Sequence, residues 1–103
     1  MSARTVLAID QGTSATKAIV LDIVDGVVGL ADEAVHPVYL PGGGVEQDPE
    51  GLLASVITAG CRAVAAAARP IDGIALANQG ETVLAWDPAT GRPLSAAIVC
   101  QDR

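Results

Sequence analysis

Apolar residues at the start of the chain come in short runs that polar turn residues separate. The run from Thr5 to Ile9 predicts a buried strand, and the run from Thr16 to Leu21 predicts its antiparallel partner across a polar turn. Asp25-Gly26 is typical of a second hairpin turn, which leads into a strand from Val27 to Val35. The pattern therefore predicts three consecutive antiparallel strands.

A loop and one long helix are predicted next. The stretch from His36 to Gly44 is rich in Pro and Gly and predicts a surface loop. Asp48 can cap a helix whose first position is Pro49, and this helix should continue to about Ala68. Helical spacing predicts an apolar stripe that packs on the sheet and consists of Leu52, Val56, Ile57, Val64 and Ala68. The side chains of Arg62 and Arg69 can reach water.

The rest of the chain predicts one more strand and a hairpin. Ile71 to Ala77 shows little alternation, which is typical of a parallel strand covered on both faces. A right-handed crossover would place it parallel to the first strand and bring Asp10 near the segment from Asn78 to Thr82. Thr82 to Asp87 and Leu94 to Gln101 predict a hairpin. This order of elements is typical of the opening half of a ribonuclease H-like α/β domain.

Composition and charge narrow the classes of partner. Half of the 103 residues are apolar, but only Tyr39 and Trp86 are aromatic, so small aliphatic side chains must build the core. The net charge is −6, and the sequence contains no basic stripe that could neutralise a phosphate backbone, which argues against nucleic acid as a partner. The first apolar run is too short for a signal peptide, and no uncharged stretch is long enough to span a bilayer. We therefore expect a cytoplasmic protein without a membrane partner.

Cysteine and histidine exclude several kinds of site. Cys61 and Cys100 fit neither a disulfide framework nor the paired spacing of a zinc site, which indicates reduced thiols. His36 is the only histidine, so a histidine-based triad or a multi-histidine metal site cannot form within this chain. We expect His36 to be a side chain at the end of a strand.

The turn between the first two predicted strands carries groups that suit a phosphate. Asp10 could hold a hydrated divalent cation, and Gly12 lets the backbone turn tightly. Thr13 and Ser14 offer hydroxyl and amide donors, and Lys17 adds a positive charge. The same residue types also build ordinary hairpin turns, so the turn alone leaves both interpretations open. The motifs of a P-loop and of a dinucleotide-binding fold are missing from the sequence.

Three motifs in order give the chain a resemblance to a known family. The motifs are Asp10-Gln11-Gly12-Thr13-Ser14, Gly43-Gly44-Val45-Glu46-Gln47-Asp48-Pro49, and Asn78-Gln79-Gly80-Glu81-Thr82 continuing through Trp86-Asp87 to Ile98-Val99-Cys100-Gln101-Asp102-Arg103. Together they resemble the FGGY family of carbohydrate kinases, and within it most of all the glycerol kinases. The resemblance covers essentially the whole chain.

The resemblance implies a fold, a reaction and two cofactors. It implies an actin-like pair of ribonuclease H-like domains, with ATP and Mg²⁺ in the cleft between them. It also implies phosphoryl transfer to the hydroxyl of a small sugar or polyol. Residues 1–103 would form part of the N-terminal domain, and we expect the rest of that domain, the second domain and the catalytic base to lie outside this chain.

The same resemblance assigns roles to individual residues. It implies that Asp10 lies close to the metal and that Glu81 binds substrate hydroxyls, for which an ionised carboxylate is well suited. The residues expected to bind ATP phosphates are Gly12, Thr13, Ser14, Ala15 and Lys17.

Departures from the glycerol kinase pattern bear on the substrate. Gly80 stands where glycerol kinases have an arginine, and the loss of one charged hydrogen bond costs about 1.5–3 kcal/mol. Cys100 and Gly44 each replace a tryptophan. A larger pocket with one donor fewer, formed in part by Gly80, Glu81 and Cys100, predicts a longer polyol or a ketose, such as a pentitol or pentose.

A different class of function stays open. The chain could be a non-catalytic nucleotide-binding or assembly module derived from the family.

As a single piece it should expose one face of its sheet and an unpaired strand edge, and a homo-oligomer is compatible with such surfaces.

Overall fold

The structure is a computed structural model that describes residues 4–80, 82 and 84–99. The described residues form a main sheet of four strands with one helix packed on it, and a separate small sheet of three strands. In chain order the elements are β1 (Thr5–Gln11), β2 (Ala15–Asp22), β3 (Gly26–Ala34), β4 (Val38–Tyr39), β5 (Val45–Gln47), α1 (Pro49–Ala67), β6 (Gly73–Asn78) and β7 (Ala97–Val99).

The main sheet has the strand order β3-β2-β1-β6. β1 pairs antiparallel with β2, opposing Leu7 to Val20, and β2 pairs antiparallel with β3. β6 pairs parallel with β1, opposing Ile9 to Leu76. The predicted three antiparallel strands, the crossover helix and the parallel fourth strand are all confirmed.

The helix begins and ends where the sequence predicted. Asp48 accepts a hydrogen bond through Oδ1 from the amide of Glu50 at 3.2 Å, and Pro49 occupies the first turn. Ala68 adopts the left-handed conformation with φ 53°, and its amide donates to the carbonyl of Val64 at 3.1 Å. This Ala68 is the cap rather than a member of the packed stripe.

Small residues bring α1 close to the sheet. The buried residues of α1 are Ser55, Ala59, Gly60, Ala63 and Ala67, while Val56 and Val64 are partly buried and pack against the same core. The predicted stripe was wrong for Ile57, which is 56% exposed, and for Ala68, which is exposed. A Cβ atom at Gly29 would overlap the carbonyl oxygen of Ala63, so the close approach leaves no room for larger side chains at this interface.

The small sheet was not predicted. Its strand order is β4-β5-β7, with Val45 opposite Tyr39 in β4 and opposite Val99 in β7. The stretch from His36 to Gly44 is therefore not entirely a loop, because β4 lies within it. Exposed His36 lies two residues after the end of β3, in agreement with its predicted place.

The predicted hairpin after β6 is shorter than expected. Trp86 forms an isolated bridge with Pro93, and the amide of Gly91 donates to the carbonyl of Asp87 at 2.7 Å, so the turn itself is confirmed. The second arm does not continue this pairing, because β7 pairs with β5 instead. Contacts distant in sequence therefore override the local pattern.

β6 lies at the edge of the main sheet and is open to solvent. Ile74 is 71% exposed and Leu76 is 65% exposed, so the prediction of a strand covered on both faces was wrong. Helix α1 packs on β2, β3 and β1, which leaves this side of β6 without a cover. The exposed sheet face and strand edge that the sequence predicted are confirmed.

By length and composition alone α1 is apolar enough to cross a membrane, a test that the core helix of a soluble protein also passes.

A charged cluster closes the end of the main sheet where β1 begins. Asp22 is 1% exposed and accepts hydrogen bonds from the amides of Val24 and Asp25 at 2.8 and 3.0 Å. Its oxygens also lie 2.9 Å from Arg4 Nε and 3.0 Å from Arg69 Nη1. Burial raises the pKa of Asp22, but the amide and guanidinium donors together outweigh it and hold the pKa well below its usual range.

The two arginines of the helix region differ in their surroundings. Arg62 is largely exposed, as predicted, and pairs with Glu33. The side chain of Arg69 is 32% exposed, so it reaches water as predicted, and it also bridges Asp22 and Asp25, each at 3.0 Å. The pairing joins the segment after α1 to the β2–β3 turn, a contact that helical periodicity does not reveal.

Candidate functional site

The candidate site lies at the opposite end of the main sheet, where β1 and β6 both end. Asp10 stands opposite Ala77, and Gln11 stands opposite Asn78 in the parallel register. The expectation that Asp10 would lie beside the segment that starts at Asn78 is therefore confirmed. In open α/β sheets, this carboxyl edge is where ligands bind.

A tight turn joins β1 to β2 at this edge. The amide of Gly12 donates to the carbonyl of Ala15 at 2.9 Å, which closes the turn. A Cβ atom at position 12 would lie 3.0 Å from that same carbonyl oxygen, so the close approach favours glycine, and a larger residue would push this carbonyl away. On the other side, the carbonyl of exposed Ser14 accepts from the amide of Val35 at 3.0 Å. The turn is thus fixed from within and by the segment that follows β3.

Asp10 and Lys17 face each other across β1 and β2. They are register partners, both are exposed, and they line the same groove of about 390 Å³ on the sheet face away from α1. Among the described residues, neither the carboxylate of Asp10 nor the ammonium group of Lys17 has a hydrogen-bond or ion-pair partner. Both charges are therefore free to meet a ligand or an ion.

Three glutamines surround the turn on its inner side. Gln11 Nε2 donates to the carbonyl of Gly12 at 2.8 Å, and Gln47 Nε2 donates to the carbonyl of Thr13 at 2.8 Å. Gln79 Nε2 donates to Gln47 Oε1 at 2.8 Å and makes a longer contact of 3.4 Å with Gln11 Oε1. The hydroxyl of Thr13 donates to Gln79 Oε1 at 3.1 Å. These bonds join the ends of β1, β5 and β6 around one turn.

Most of the residues predicted for phosphate binding come together here. Gly12, Thr13, Ser14 and Ala15 form the turn itself, while Lys17 lies on the groove beside it. Their role toward a phosphate stays a prediction.

The residues predicted for the substrate are less fully described. Gly80 is exposed and directly follows Gln79, and apart from its chain neighbours no described atom lies within 4 Å of the place where a Cβ would stand. Glu81 and Cys100 lie outside the described residues. Cys61, the other predicted thiol, is exposed and free.

Sequence reasoning gave the glutamines no role, although each belongs to one of the quoted motifs. Gln11 and Gln47 are the last residues of β1 and β5, and Gln79 directly follows β6. Gln11 and Gln47 are 8% and 2% exposed, and buried amides need hydrogen-bond partners. Glutamines at strand ends that meet at one sheet edge were the signal that could have revealed the network.

The side chains at the site suit a magnesium ion that is bound jointly by a protein carboxylate and by phosphates. Among the described residues, no group of three His, Cys, Asp or Glu side chains could hold a metal on its own. Mg²⁺ keeps several water ligands and typically binds through one or two carboxylates together with substrate phosphates. The exposed and unpaired carboxylate of Asp10 fits that mode.

Comparison with protein families identifies the kind of domain. The sequence model of the N-terminal domain of the FGGY family of carbohydrate kinases matches residues 5–103. A glycerol kinase of Rhizobium rhizogenes is 46% identical over 101 residues, covering 95% of this chain and 20% of the relative. A glycerol kinase of Alkalilimnicola ehrlichii is 46% identical over 104 residues, covering 97% of this chain and 21% of the relative.

Solved structures give the same fold. Plasmodium falciparum glycerol kinase with ADP matches with a TM-score of 0.80 at 30% identity, covering 94% of this chain and 20% of that one. A xylulose kinase from Rhodospirillum rubrum matches with a TM-score of 0.86 at 24% identity, covering 93% of this chain and 20% of that one, and shows the fold alone. The predicted ribonuclease H-like, actin-like ATPase fold is confirmed. The chain spans about one fifth of the length of these relatives.

Proposed function

Because the chain belongs to the FGGY family of carbohydrate kinases, we propose that it is the N-terminal part of a protein that phosphorylates a sugar or polyol with ATP. The closing part of this domain and a second domain would complete the protein. A cytoplasmic location and a homo-oligomeric state belong to the same proposal.

One observation supports this function more than any other. The turn from Gly12 to Ala15 is held at the edge where β1 and β6 end, directly beside the segment that leads to Gly80. A phosphate on the turn and a hydroxyl compound beside Gly80 would therefore be neighbours. Phosphoryl transfer depends mainly on such positioning and on the stabilisation of charge.

Each group at the edge has a defined task in this proposal. The amides of Thr13 and Ser14 and the hydroxyl of Ser14 would donate to phosphate oxygens, and Lys17 would neutralise part of the phosphate charge. Asp10 would hold a magnesium ion, whose chemistry there is the neutralisation of negative charge on the phosphates. No residue is assigned as the catalytic base.

The substrate side of the proposal depends on three residues. Glu81 would accept hydrogen bonds from two substrate hydroxyls, and Cys100 would form part of the wall beside them. Open space at Gly80 supports a compound larger than glycerol, since no described atom lies within 4 Å of the Cβ position. We place the substrate among pentitols and ketopentoses, with glycerol as a weaker substrate.

The test is ATP turnover by the complete gene product on a panel of glycerol, pentitols and ketopentoses. We expect turnover with one of these compounds, and Glu81→Ala should lower kcat/KM for it at least about a hundredfold, because a charge-assisted contact to two hydroxyls is lost. Glu50→Ala is the control, since Glu50 lies in the first turn of α1. A folded wild-type protein that binds nucleotide but phosphorylates nothing would support the non-catalytic module instead.

A further inference from the structure

The ring of hydrogen bonds around Thr13 has only one possible direction. A main-chain carbonyl can only accept, so the side-chain nitrogen of Gln47 must face the carbonyl of Thr13. This leaves Oε1 of Gln47 to accept from the nitrogen of Gln79, and Oε1 of Gln79 to accept the hydroxyl proton of Thr13. The backbone of the turn therefore fixes the orientation of both amides.

The glutamines also fix the peptide planes of the turn. Gln11 holds the carbonyl of Gly12, and Gln47 holds the carbonyl of Thr13, each at 2.8 Å. In a planar trans peptide the N–H points opposite to the C=O of the same unit. The N–H groups of Thr13 and Ser14 belong to these two units, so they point away from the glutamines.

Burial makes this arrangement firm. Gln47 is 2% exposed and Gln11 is 8% exposed, so water does not compete freely for their amides. Gln47 is the last residue of β5, whose own sheet and whose link into α1 hold it in place. The position of the turn thus depends on an element far from it in sequence.

From these contacts we infer that Gln47 is a positioning residue for nucleotide binding: it orients the Thr13 peptide so that adjacent N–H groups face the phosphates of a bound nucleotide. The inference deepens the proposed function and rests on it for the identity of the ligand. Gln47 itself does not touch the nucleotide. Gln79 secures Gln47 from the opposite side and belongs to the same device.

The test compares three variants of the complete gene product, with ADP affinity from calorimetry as the main readout. Gln47→Leu keeps the approximate volume and removes both hydrogen bonds, and we expect it to weaken ADP binding about tenfold or more, since small misplacements of binding groups are costly. Ser55→Ala is the matched control, because it removes a buried hydrogen bond of 2.7 Å to Thr16 without touching the ring. We expect both variants to lower the melting temperature, but only Gln47→Leu to lose ADP affinity.

Gln47→Glu adds a readout that a purely structural role would not produce. A carboxylate cannot donate to the Thr13 carbonyl, whereas the protonated acid can, and burial raises the pKa of such a carboxyl group. We expect ADP affinity of this variant to be weak at neutral pH and to recover on acidification relative to wild type. If Gln47→Leu does not fold, this pH profile decides the matter.

The outcomes separate the inference from the proposed function. Equal ADP affinity in Gln47→Leu, Ser55→Ala and wild type would overturn the inference, as would a wild type that binds no ADP or a flat pH profile in Gln47→Glu. A wild type that binds ADP without turning over any sugar would refute the kinase proposal, while the effect of Gln47 on ADP affinity would still be measured.

Discussion

The contact of α1 with β3 at Gly29 gives a sharp prediction about stability. A Cβ atom at position 29 would overlap the carbonyl oxygen of Ala63 and lie 3.1 Å from both the nitrogen and the Cβ of Ala67. The obstacle is helix backbone, so it cannot rotate away, and Gly29→Ala must push α1 off the sheet. Overpacking of this kind costs about 1–3 kcal/mol. The lower entropy of the unfolded chain returns about 0.4–1 kcal/mol.

With the middle value of each range, the net loss for Gly29→Ala is about 1.3 kcal/mol, which corresponds to an opening equilibrium about ninefold larger. Hydrogen exchange of the complete gene product, followed by mass spectrometry on peptides from β2, β3 and α1, measures that change directly. The control is Gly73→Ala, because position 73 has no atom within 4 Å of a Cβ and no positive φ. Identical exchange in the two variants would refute the close approach of helix and sheet.

Three further predictions concern the charged cluster, the helix cap and the substrate. The pKa of Asp22 in the folded protein lies below its ordinary value of 3.8, so the ionised carboxylate stabilises the fold above about pH 4, and this stabilisation is lost as the pH falls further. Acid unfolding measures this loss of stability. The substitution Asp22→Asn should remove the pH dependence, whereas the control Asp32→Asn, at an exposed site, should leave it in place. Ala68→Gly should stabilise the protein by about 1 kcal/mol in thermal unfolding, because Ala68 has φ 53° and glycine adopts this conformation without strain. The control Ala66→Gly, within α1, should destabilise the protein by a similar amount. A change in stability of the same sign in both variants would contradict the left-handed cap. Gly80→Arg should raise kcat/KM for glycerol relative to pentitols about tenfold or more, and an unchanged ratio would exclude Gly80 from the choice of substrate.

Elements with strong local signals could be predicted from the sequence. Asp25-Gly26 marked the β2–β3 turn, and Asp48-Pro49 marked the start of α1. The parallel pairing of β6 with β1 followed from the handedness of crossover connections, which also placed Asp10 next to the segment from Asn78. Local chemistry and topology were sufficient for these features.

The features that were missed depend on pairing between distant residues. β4 contains two residues and β5 three, and their sheet is completed by Val99, which lies 54 positions beyond Val45. Such pairing leaves no periodic pattern to read. The packed stripe was placed on large apolar residues such as Ile57, although the space beside Gly29 admits only small ones. Glutamine is common in loops of every kind, so its presence alone predicts no contact. The ring of hydrogen bonds at Thr13 depends on three strand ends that meet in space and are distant in sequence.

The charged cluster around Asp22 and the turn from Gly12 to Ala15 lie at opposite ends of the same strands. β1 has seven residues, which at about 3.3 Å each separates the two ends by roughly 20 Å. Changes that far apart usually add without influencing each other. Substitutions at the Asp22 end can therefore be used to adjust tolerance to acid or heat without altering the candidate site at the Asp10 end, so the two ends are separate variables in engineering this domain.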